Sequence, residues 1–261
     1  MKKLFTLLLV FTALSVSTDA WDLLEITGPH ELTLGPQVYS LKRERQGGTF
    51  QKGFLYGGYL NYQRLRWNGF YAEGNVSYAS GDLKGKTASG ASLKSTLNEF
   101  LSEGTLGWTF GLTLGKPISI TPYAGYGTFR STNEFRHPSP LLCRFEDTFQ
   151  FPIIGIYGLV YWTPCLSFGV NFKARWMEGA KEKVSGDEEM GTLEMMIGDN
   201  WLYELQLPIT YQFNWNGYCL NANLIPFWDR RDFGGREGYP MDFIQTRYTI
   251  YGLRLLLGLN F

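Results

Sequence analysis

The chain has 261 residues, and its 24 basic and 24 acidic side chains balance to a formal net charge of zero. A general nucleic-acid-binding protein would carry clustered basic residues, so we expect no nucleic-acid partner. The three cysteines lack the spacing of a zinc site, and we expect neither a metal nor a cofactor. Glycine (31 residues) and aromatic residues (16%) are abundant, and the length suits one or two ordinary domains or a single all-β barrel.

The first twenty residues have the layout of a secretory signal peptide. Two lysines precede an apolar run from Leu4 to Val16, and small residues follow up to Ala20. The run is shorter than the roughly 20 residues that a membrane-spanning helix needs. We therefore predict an exported chain, with a signal peptide over residues 1–20 and a barrel domain over residues 21–261.

Apolar and polar residues alternate with a period of two along the rest of the chain. Every even position from Leu166 to Trp176 is apolar, whereas the odd positions from Ser167 to Arg175 are polar or glycine. Because successive side chains of a strand point to opposite faces, this pattern predicts strands with one apolar and one polar face. Together with residues 201–213 and the C-terminal run to Phe261, weaker alternation predicts further strands near 31–42, 49–66, 68–81, 98–114, 117–130, 145–162 and 217–229.

The links between these segments alternate in length. Short links lie near Trp67–Gly69, Gly115–Pro117, Thr163–Cys165 and Asn214–Gly217, and long ones cover 82–97, 131–144, 178–200 and 230–240. Short turns on one rim, long loops on the other and an even strand number are typical of transmembrane β-barrels. The predicted fold class is all-β: a transmembrane antiparallel β-barrel of about ten strands, within a range of eight to twelve.

Aromatic residues indicate which face of the barrel meets lipid. Ten residues at about 3.3 Å each, on a strand tilted by roughly 40°, separate Trp201 from Tyr211 by about 25 Å along the barrel axis. This distance equals the height of the apolar band between the two aromatic girdles of an outer-membrane barrel. A soluble core has no reason to place its rings in two such belts. We predict that the apolar face points into lipid and that the girdles include Trp176, Trp201, Tyr203, Tyr211, Phe213 and Tyr218.

The last residue, Phe261, ends an alternating leucine strand. It resembles the C-terminal signal that the bacterial outer-membrane assembly machinery reads. We therefore expect residence in the bacterial outer membrane, with that machinery and the membrane lipid or lipopolysaccharide as partners. Host or envelope protein partners stay open.

The polar face then lines the lumen. Its charged residues in the clearest strands are three acids and three bases, namely Glu73, Glu103, Glu204, Lys173, Arg175 and Arg254. A basic residue facing lipid near the midplane would cost about 2–4 kcal/mol. We expect Lys173 or Arg175 to pair with Glu204 and such contacts to plug the lumen partly. The alternative is a charged constriction in a porin-like channel for small solutes.

An outer-membrane enzyme and a surface adhesin are the competing functions. His137, with Glu134, Glu146 and Asp147 nearby, would carry general-base chemistry. The Asp-x-His element and paired acids of the omptin proteases are absent from the sequence, so we expect no enzyme, neither omptin-like nor lipid-modifying.

Other charged and thiol groups give weaker indications. The acidic segment 178–200 is expected to be a solvated loop. Basic residues in two outer loops are expected to meet lipopolysaccharide phosphates: Lys42, Arg43, Arg45, Arg230, Arg231 and Arg236. We assign no disulfide to Cys143, Cys165 or Cys219, and expect Cys143 in an outer loop.

Several short runs between about residues 36 and 175 resemble the Protochlamydia outer-membrane protein family. They are Gln51–Gly53, Gly81–Gly85, Thr121–Gly127, Asn133–Phe135, Pro138–Pro140 and Asp147–Phe149. The resemblance implies an outer-membrane barrel from a chlamydia-like bacterium. It implies no catalytic residues.

Overall fold

The computed structural model describes residues 29–140, 142–187, 191–198, 200–235 and 245–261. The predicted signal peptide over residues 1–20 lies outside them. Within the described residues, no helix has the length and apolar character needed to cross a membrane. The strands are β1 (His30–Arg45), β2 (Thr49–Arg64), β3 (Gly69–Lys86), β4 (Ser92–Leu114), β5 (Lys116–Arg136), β6 (Arg144–Thr163), β7 (Leu166–Trp176), β8 (Glu178–Asp187), β9 (Gly191–Met196), β10 (Trp201–Gln206), β11 (Ile209–Trp215), β12 (Tyr218–Phe233) and β13 (Thr246–Asn260).

Ten antiparallel strand positions close into one barrel, which confirms the predicted fold class. Strands β1 to β7 pair in sequence order, β12 pairs with β13, and β13 pairs with β1 to close the sheet. β10 and β11 share one position, because each pairs with β7 on one side and with β12 on the other. The interruption between them contains Pro208, which has no backbone N–H to offer the ladder.

The predicted short links are tight turns on one rim of the barrel. In the β11–β12 turn, Asn216 and Gly217 both have positive φ angles, of 51° and 83°. Two consecutive left-handed residues are the requirement of the type I′ hairpin turn. The two ends of the barrel meet on the same rim, where the backbones of His30 and Phe261 exchange hydrogen bonds of 3.1 and 2.9 Å. Short turns lie on the periplasmic side of outer-membrane barrels.

The opposite rim differs from the prediction, because the segments expected as long loops are mostly strand. β3 runs to Lys86 and β4 begins at Ser92, so residues 82–97 form a hairpin with a short link. In the segment 131–144, β5 continues to Arg136 and β6 begins at Arg144, so the link is shortened to residues 137–143. Residues 178–200 contain the β8–β9 hairpin, of which β8 pairs with the outer part of β6. β12 continues to Phe233, into the first part of the segment expected as the last long loop.

Two girdles of exposed aromatic side chains divide the barrel along its axis. On the short-turn side they include Tyr62, Phe70, Trp108, Trp162 and Tyr218, and on the other side Tyr56, Tyr78, Phe100, Tyr126, Trp201 and Tyr251. Between the girdles the outward face is apolar: Leu34 is 62% exposed and Leu257 is 68% exposed. We call the part between the girdles the membrane section, and the strand ends beyond Tyr56, Tyr78, Phe100 and Tyr126 the extramembrane section.

The alternation of buried and exposed side chains changes between the two sections. In the membrane section of β1, Thr33 points into the lumen and Leu34 points out, whereas further along the strand Leu41 is fully buried and Lys42 is exposed. β3 makes the same change: Leu83 is fully buried near its outer end. Because even positions face outward along the whole of β1 and of β3, the sequence itself changes the phase of its alternation where these strands leave the membrane section.

The interior of the extramembrane section is therefore a packed apolar core. Phe149 contacts Phe129 at 4.8 Å and Phe233 at 5.8 Å between ring centroids, and Phe233 contacts Tyr248 at 4.8 Å. Side chains of the β8–β9 hairpin and the strand ends around it complete this core: Leu41, Leu55, Leu83, Leu97, Phe145, Ala180, Val184, Met195 and Ile197.

Candidate functional site in the barrel lumen

The six predicted girdle residues lie on the outward face. The Trp176 and Trp201 rings meet across neighbouring strands at 5.1 Å, and Tyr203 stacks on Trp201 at 6.4 Å. Toward the other rim, Tyr211 stacks on Phe213 at 6.3 Å, and Tyr218 is largely exposed. The six predicted residues lie on four strands only. The rest of each girdle follows the same outward alternation, and Phe70 lies directly opposite Trp108, as Tyr78 does opposite Phe100.

Phe261 lies at the seam between β13 and β1. Its ring stacks on the His30 imidazole at 5.6 Å, and His30 Nδ1 lies 2.7 Å from the Tyr62 hydroxyl. The terminal residue thus completes the pairing that closes the barrel. Its reading as an assembly signal stays a prediction.

The six predicted lumen charges are buried and form one connected chain of ion pairs. Lys173 Nζ lies 3.8 Å from Glu73 and 2.9 Å from Glu103. Arg175 joins Glu103, at 2.6 Å, to Glu204, and Arg254 contacts the second oxygen of Glu204 at 3.1 Å. We call these residues the lumen network: Glu73, Glu103, Lys173, Arg175, Glu204 and Arg254.

The lumen network crosses the barrel rather than following one wall. Glu103 is on β4, and its two cationic partners are on β7. Two strands, β5 and β6, lie between β4 and β7 in the sheet. Of the two predicted partners of Glu204, Arg175 makes the contact. Lys173 lies opposite Glu204 in the strand register, yet its ammonium group turns to Glu103 and Glu73.

Neutral groups add hydrogen bonds to the three acids of the lumen network. Asn75 donates to Glu103 at 3.1 Å, Gln206 donates to Glu204 at 2.8 Å, and the Tyr71 hydroxyl donates to Glu73 at 2.9 Å. The Arg254 guanidinium lies over the rings of Tyr59, at 4.3 Å, and Phe227, at 4.2 Å. Charges can be buried when partners and hydrogen bonds compensate for lost water, and this set meets that condition.

A second charged cluster, which the sequence pattern did not predict, lies at the boundary of the extramembrane section. Arg231 contacts Glu99 at 3.1 Å and Asp229 at 2.8 Å, and the Tyr39 hydroxyl donates to Glu99 at 2.5 Å. The expectation that Arg231 meets lipopolysaccharide from a loop is therefore wrong, because β12 continues past it and turns its side chain inward. A cavity of about 20 Å³, room for about one water molecule, separates this cluster from Glu204 and Arg254.

A third buried cluster lies near the outer rim, in the extramembrane section. Arg43 and Arg45 of β1 approach Asp147 of β6 and Glu182 of β8. Arg43 is buried and donates to Gln51 at 3.3 Å, so its predicted contact with lipopolysaccharide is also wrong. Arg230 pairs with Asp232 at 2.9 Å, and Arg236 lies outside the described residues.

Glu182 is the least compensated acid of this third cluster. Its nearest cation, Arg45, lies 3.9 Å away, too far for a hydrogen bond, and neither of its carboxylate oxygens has a hydrogen-bond partner among the described residues. Burial, assisted by the neighbouring Asp147 charge, raises the pKa of Glu182 to about 8. Burial also raises the pKa of Asp147 and lowers the pKa of Arg45 to about 10.

His137 is exposed, and the three acids near it in sequence are engaged with other groups. Glu134 pairs with Arg136 at 3.7 Å, and Glu146 pairs with Arg144 at 2.8 Å. Asp147 points into the barrel, where it accepts a hydrogen bond from Ser131 at 2.8 Å. In the described part of the chain, no group of three or more His, Cys, Asp and Glu side chains is arranged to hold a metal ion.

The three cysteines are free thiols. Cys165 is exposed in the β6–β7 turn, and Cys219 is half-buried and accepts a hydrogen bond from Asn260 at 3.4 Å. Cys143 lies in the outer link between β5 and β6, as predicted, but its side chain is buried against the apolar core, so it is not accessible for a crosslink to a partner.

No model of a known protein family and no curated protein matches this sequence. Among solved structures, the chain is similar to the outer membrane protease OmpT from Escherichia coli, with 12% identity and a TM-score of 0.59 over 89% of this chain and 96% of that one. It also aligns with the translocator domain of the autotransporter NalP from Neisseria meningitidis: 11% identity, TM-score 0.47, and 93% and 92% of the two chains. The alignment with the outer membrane protein OprG from Pseudomonas aeruginosa has 10% identity and a TM-score of 0.41, and it covers 90% of this chain and 97% of that one.

At these identities, the similarity to OmpT is one of fold and carries no activity. The resemblance to the Protochlamydia outer-membrane protein family gains no support beyond the general barrel and stays a prediction. The closed ten-strand barrel, its outward apolar band and its two aromatic girdles are the features that lipid requires of a spanning sheet. The chain is an integral β-barrel of the bacterial outer membrane.

Proposed function

We propose that this protein is a non-conducting outer-membrane barrel whose interior has a structural role and whose function is exercised at its outer surface. The observation that carries the proposal is the filling of the lumen in two successive layers. The lumen network ties β3, β4, β7, β10 and β13 together across the membrane section. Beyond it, the apolar core occupies the extramembrane section.

Each layer opposes solute passage for a different physical reason. A solute that displaced Glu204 would leave Arg254 without its acid partner, and breaking a buried pair in this way costs about 3–5 kcal/mol. A hydrated ion that passed between the packed rings of the apolar core would lose its water, and the rings would offer it no hydrogen bonds in exchange. The arrangement of paired charges under packed rings therefore supports a plug in preference to a selective constriction.

The same geometry supports a surface interaction role over catalysis. The acids nearest His137 in the chain are held by Arg136, Arg144 and Ser131, so none of them orients the imidazole as a general base requires. In contrast, the extramembrane section is a continuation of the sheet rather than a set of loops, and it holds its outward side chains in a fixed array. We propose that the protein is not an enzyme and that this array contacts lipid or envelope partners.

Planar-bilayer recording on refolded protein tests the proposal. Compact migration on an unheated gel establishes that the preparation contains folded barrel. We expect such protein to insert without steady unit current. A reproducible, charge-selective conductance from the same preparation would contradict the proposal and favour the channel alternative.

A further inference from the structure

Basic residues form a row across the outward face of five neighbouring strands. The strand register places Lys42 opposite Lys52, Lys52 opposite Lys84, Lys84 opposite Lys94, and Lys94 opposite Arg136. We call these five residues the cationic row. With neighbouring strands about 4.8 Å apart, the row extends for about 20 Å along the hydrogen-bonding direction of the sheet.

The orientation of the cationic row follows from the residues beside it. Leu41, Leu83 and Leu93 immediately precede three of its lysines and are buried in the apolar core. Because successive side chains alternate between the faces of a strand, the lysines that follow them point away from the barrel. Lys42, Lys52 and Lys84 are exposed, and Lys94 is half-buried.

The ends of the row are neutralised and its middle is not. Lys42 pairs with Glu44 at 2.6 Å, and Arg136 pairs with Glu134 at 3.7 Å. Lys52, Lys84 and Lys94 make no ion pair with any of the described residues, and Asp82, the acid two positions before Lys84, accepts a hydrogen bond from Thr96 at 2.7 Å.

Three outward arginines elsewhere in the extramembrane section are paired. Arg130 and Arg144 both contact Glu146, and Arg247 contacts Asp232 at 2.6 Å. Like charges placed directly opposite each other destabilise a sheet. The three central lysines therefore form a site that an external anion would stabilise.

The cationic row begins where the apolar band ends. On β2 the outward residues after Lys52 are Phe54 and Tyr56, which are 58% and 63% exposed. Four residues at about 3.3 Å each, tilted by roughly 40°, place Lys52 about 10 Å above Tyr56, and six place Lys84 about 15 Å above Tyr78. At these heights above the girdle, the lysines lie level with the lipid headgroups and the sugars attached to them. The row is therefore continuous with the lipid-facing surface.

We propose that Lys52, Lys84 and Lys94 bind the phosphate groups of a lipopolysaccharide molecule that lies against β2, β3 and β4. Ammonium groups act as point charges with three donors each, and they suit successive phosphates on a flexible glycolipid. The Phe54 and Tyr56 rings below them offer apolar contact to its acyl chains. The site does not depend on whether the lumen conducts.

The test compares two variants that each lose three outward positive charges. In Lys52→Gln/Lys84→Gln/Lys94→Gln the site is removed, whereas in the control Arg130→Gln/Arg144→Gln/Arg247→Gln only paired cations are lost. Purified lipopolysaccharide is titrated into each refolded protein in neutral detergent micelles, and compact gel migration verifies that both are folded. We expect the first variant to bind about 100-fold more weakly than the wild type, and the control to bind with nearly unchanged affinity.

Dephosphorylated lipopolysaccharide and heparin identify the ligand chemistry. The wild-type protein should lose most of its affinity for lipopolysaccharide when the phosphates are removed from it. In competition for the site, lipopolysaccharide should be effective at a lower concentration than heparin. The proposal would be overturned if the lysine variant bound lipopolysaccharide as tightly as the wild type, or if the control variant lost as much affinity as the lysine variant. Unchanged binding of the dephosphorylated lipid would also overturn it. Preferential binding of heparin would also overturn it, in favour of a sulfated polysaccharide.

Discussion

Buried ionic side chains in this barrel differ in how well they are compensated. Glu204 receives Arg175 on one oxygen and Arg254 on the other, with Gln206 as a further donor. Glu182 has one cation at 3.9 Å and no hydrogen bond within the described ranges. Removing the charge of Glu204 should therefore lower stability, whereas removing the charge of Glu182 should raise it.

Replacing Glu204 with Gln should lower the free energy of unfolding by about 3–5 kcal/mol, because two buried guanidinium groups lose a carboxylate partner. The measurement is the urea midpoint at which compact gel migration is lost in lipid vesicles. Glu194→Gln, which removes an exposed ion pair with Lys181, should change the midpoint very little. Adding Arg254→Met to Glu204→Gln should recover part of the loss, since the lumen network is again balanced. A double variant as unstable as the sum of the singles would contradict this coupling.

Replacing Glu182 with Gln should tighten the β8–β9 hairpin at neutral and alkaline pH. The pKa of Glu182 is about 8 in the folded protein against an ordinary 4.5, so folded protein retains a proton that the opened hairpin releases. The stability of the hairpin should therefore fall as the pH rises from about 4.5 to 8 in the wild type, and this fall should be smaller in the variant. Hydrogen exchange of the β8 and β9 amides measures the effect. Glu194→Gln on the same hairpin is the control, and a pH dependence that survives Glu182→Gln would count against the assignment.

At the scale of the strands, periodicity predicts where a strand lies better than where it ends. The barrel and its short turns follow from alternation that places leucine outward, as on β13. The outer halves of β3 and β4 do not follow from this pattern. On β3, Leu83 points inward, and its neighbours Asp82 and Lys84 point outward. A search for apolar residues on one fixed face reads this change as a loop, although a period-two pattern of opposite phase was present in the sequence.

The outward face of β13 offers a direct test of the boundary between the sections. Leu257→Arg places a charge in the apolar band and should cost about 2–4 kcal/mol, whereas Thr249→Arg, on the same face beyond the Tyr251 girdle, should cost about 0–1 kcal/mol. Folding equilibria in lipid vesicles measure both. Equal costs at the two positions would mean that the band does not end at Tyr251.

For the whole molecule, the sequence located the six charges of the lumen network and missed those of the two outer clusters. The six residues of the lumen network were predicted because their strands were clear and lipid excludes them from the outside. Glu99, Arg231 and Glu182 were not, since their positions lay in or beside segments taken for loops. Which pairs form across the lumen depends on the barrel's circumference and stagger, and local sequence patterns do not contain this information.

The two sections should be separable in stability. Replacing residues 179–198 with a short Gly-Ser link removes Val184, Met195 and Ile197 from the apolar core but leaves the lumen network and the girdles in place. We expect compact gel migration to persist, and trypsin to cleave near Lys84 and Arg136 faster than in the wild type. Loss of the barrel itself, or unchanged resistance to trypsin, would show that the two sections do not fold in this way.

The change of phase along each strand also constrains how the molecule is built. A strand such as β3 has its outward lysine at the far end, so that side chain must traverse the hydrocarbon layer before the strand reaches its final position. At about 2–4 kcal/mol for each cation at the midplane, the outward cations of β1 to β5 present a large barrier to spontaneous insertion of a preformed cylinder. Insertion of hairpins through a locally thinned or opened bilayer, with closure at the His30–Phe261 seam as the final step, would keep that barrier small.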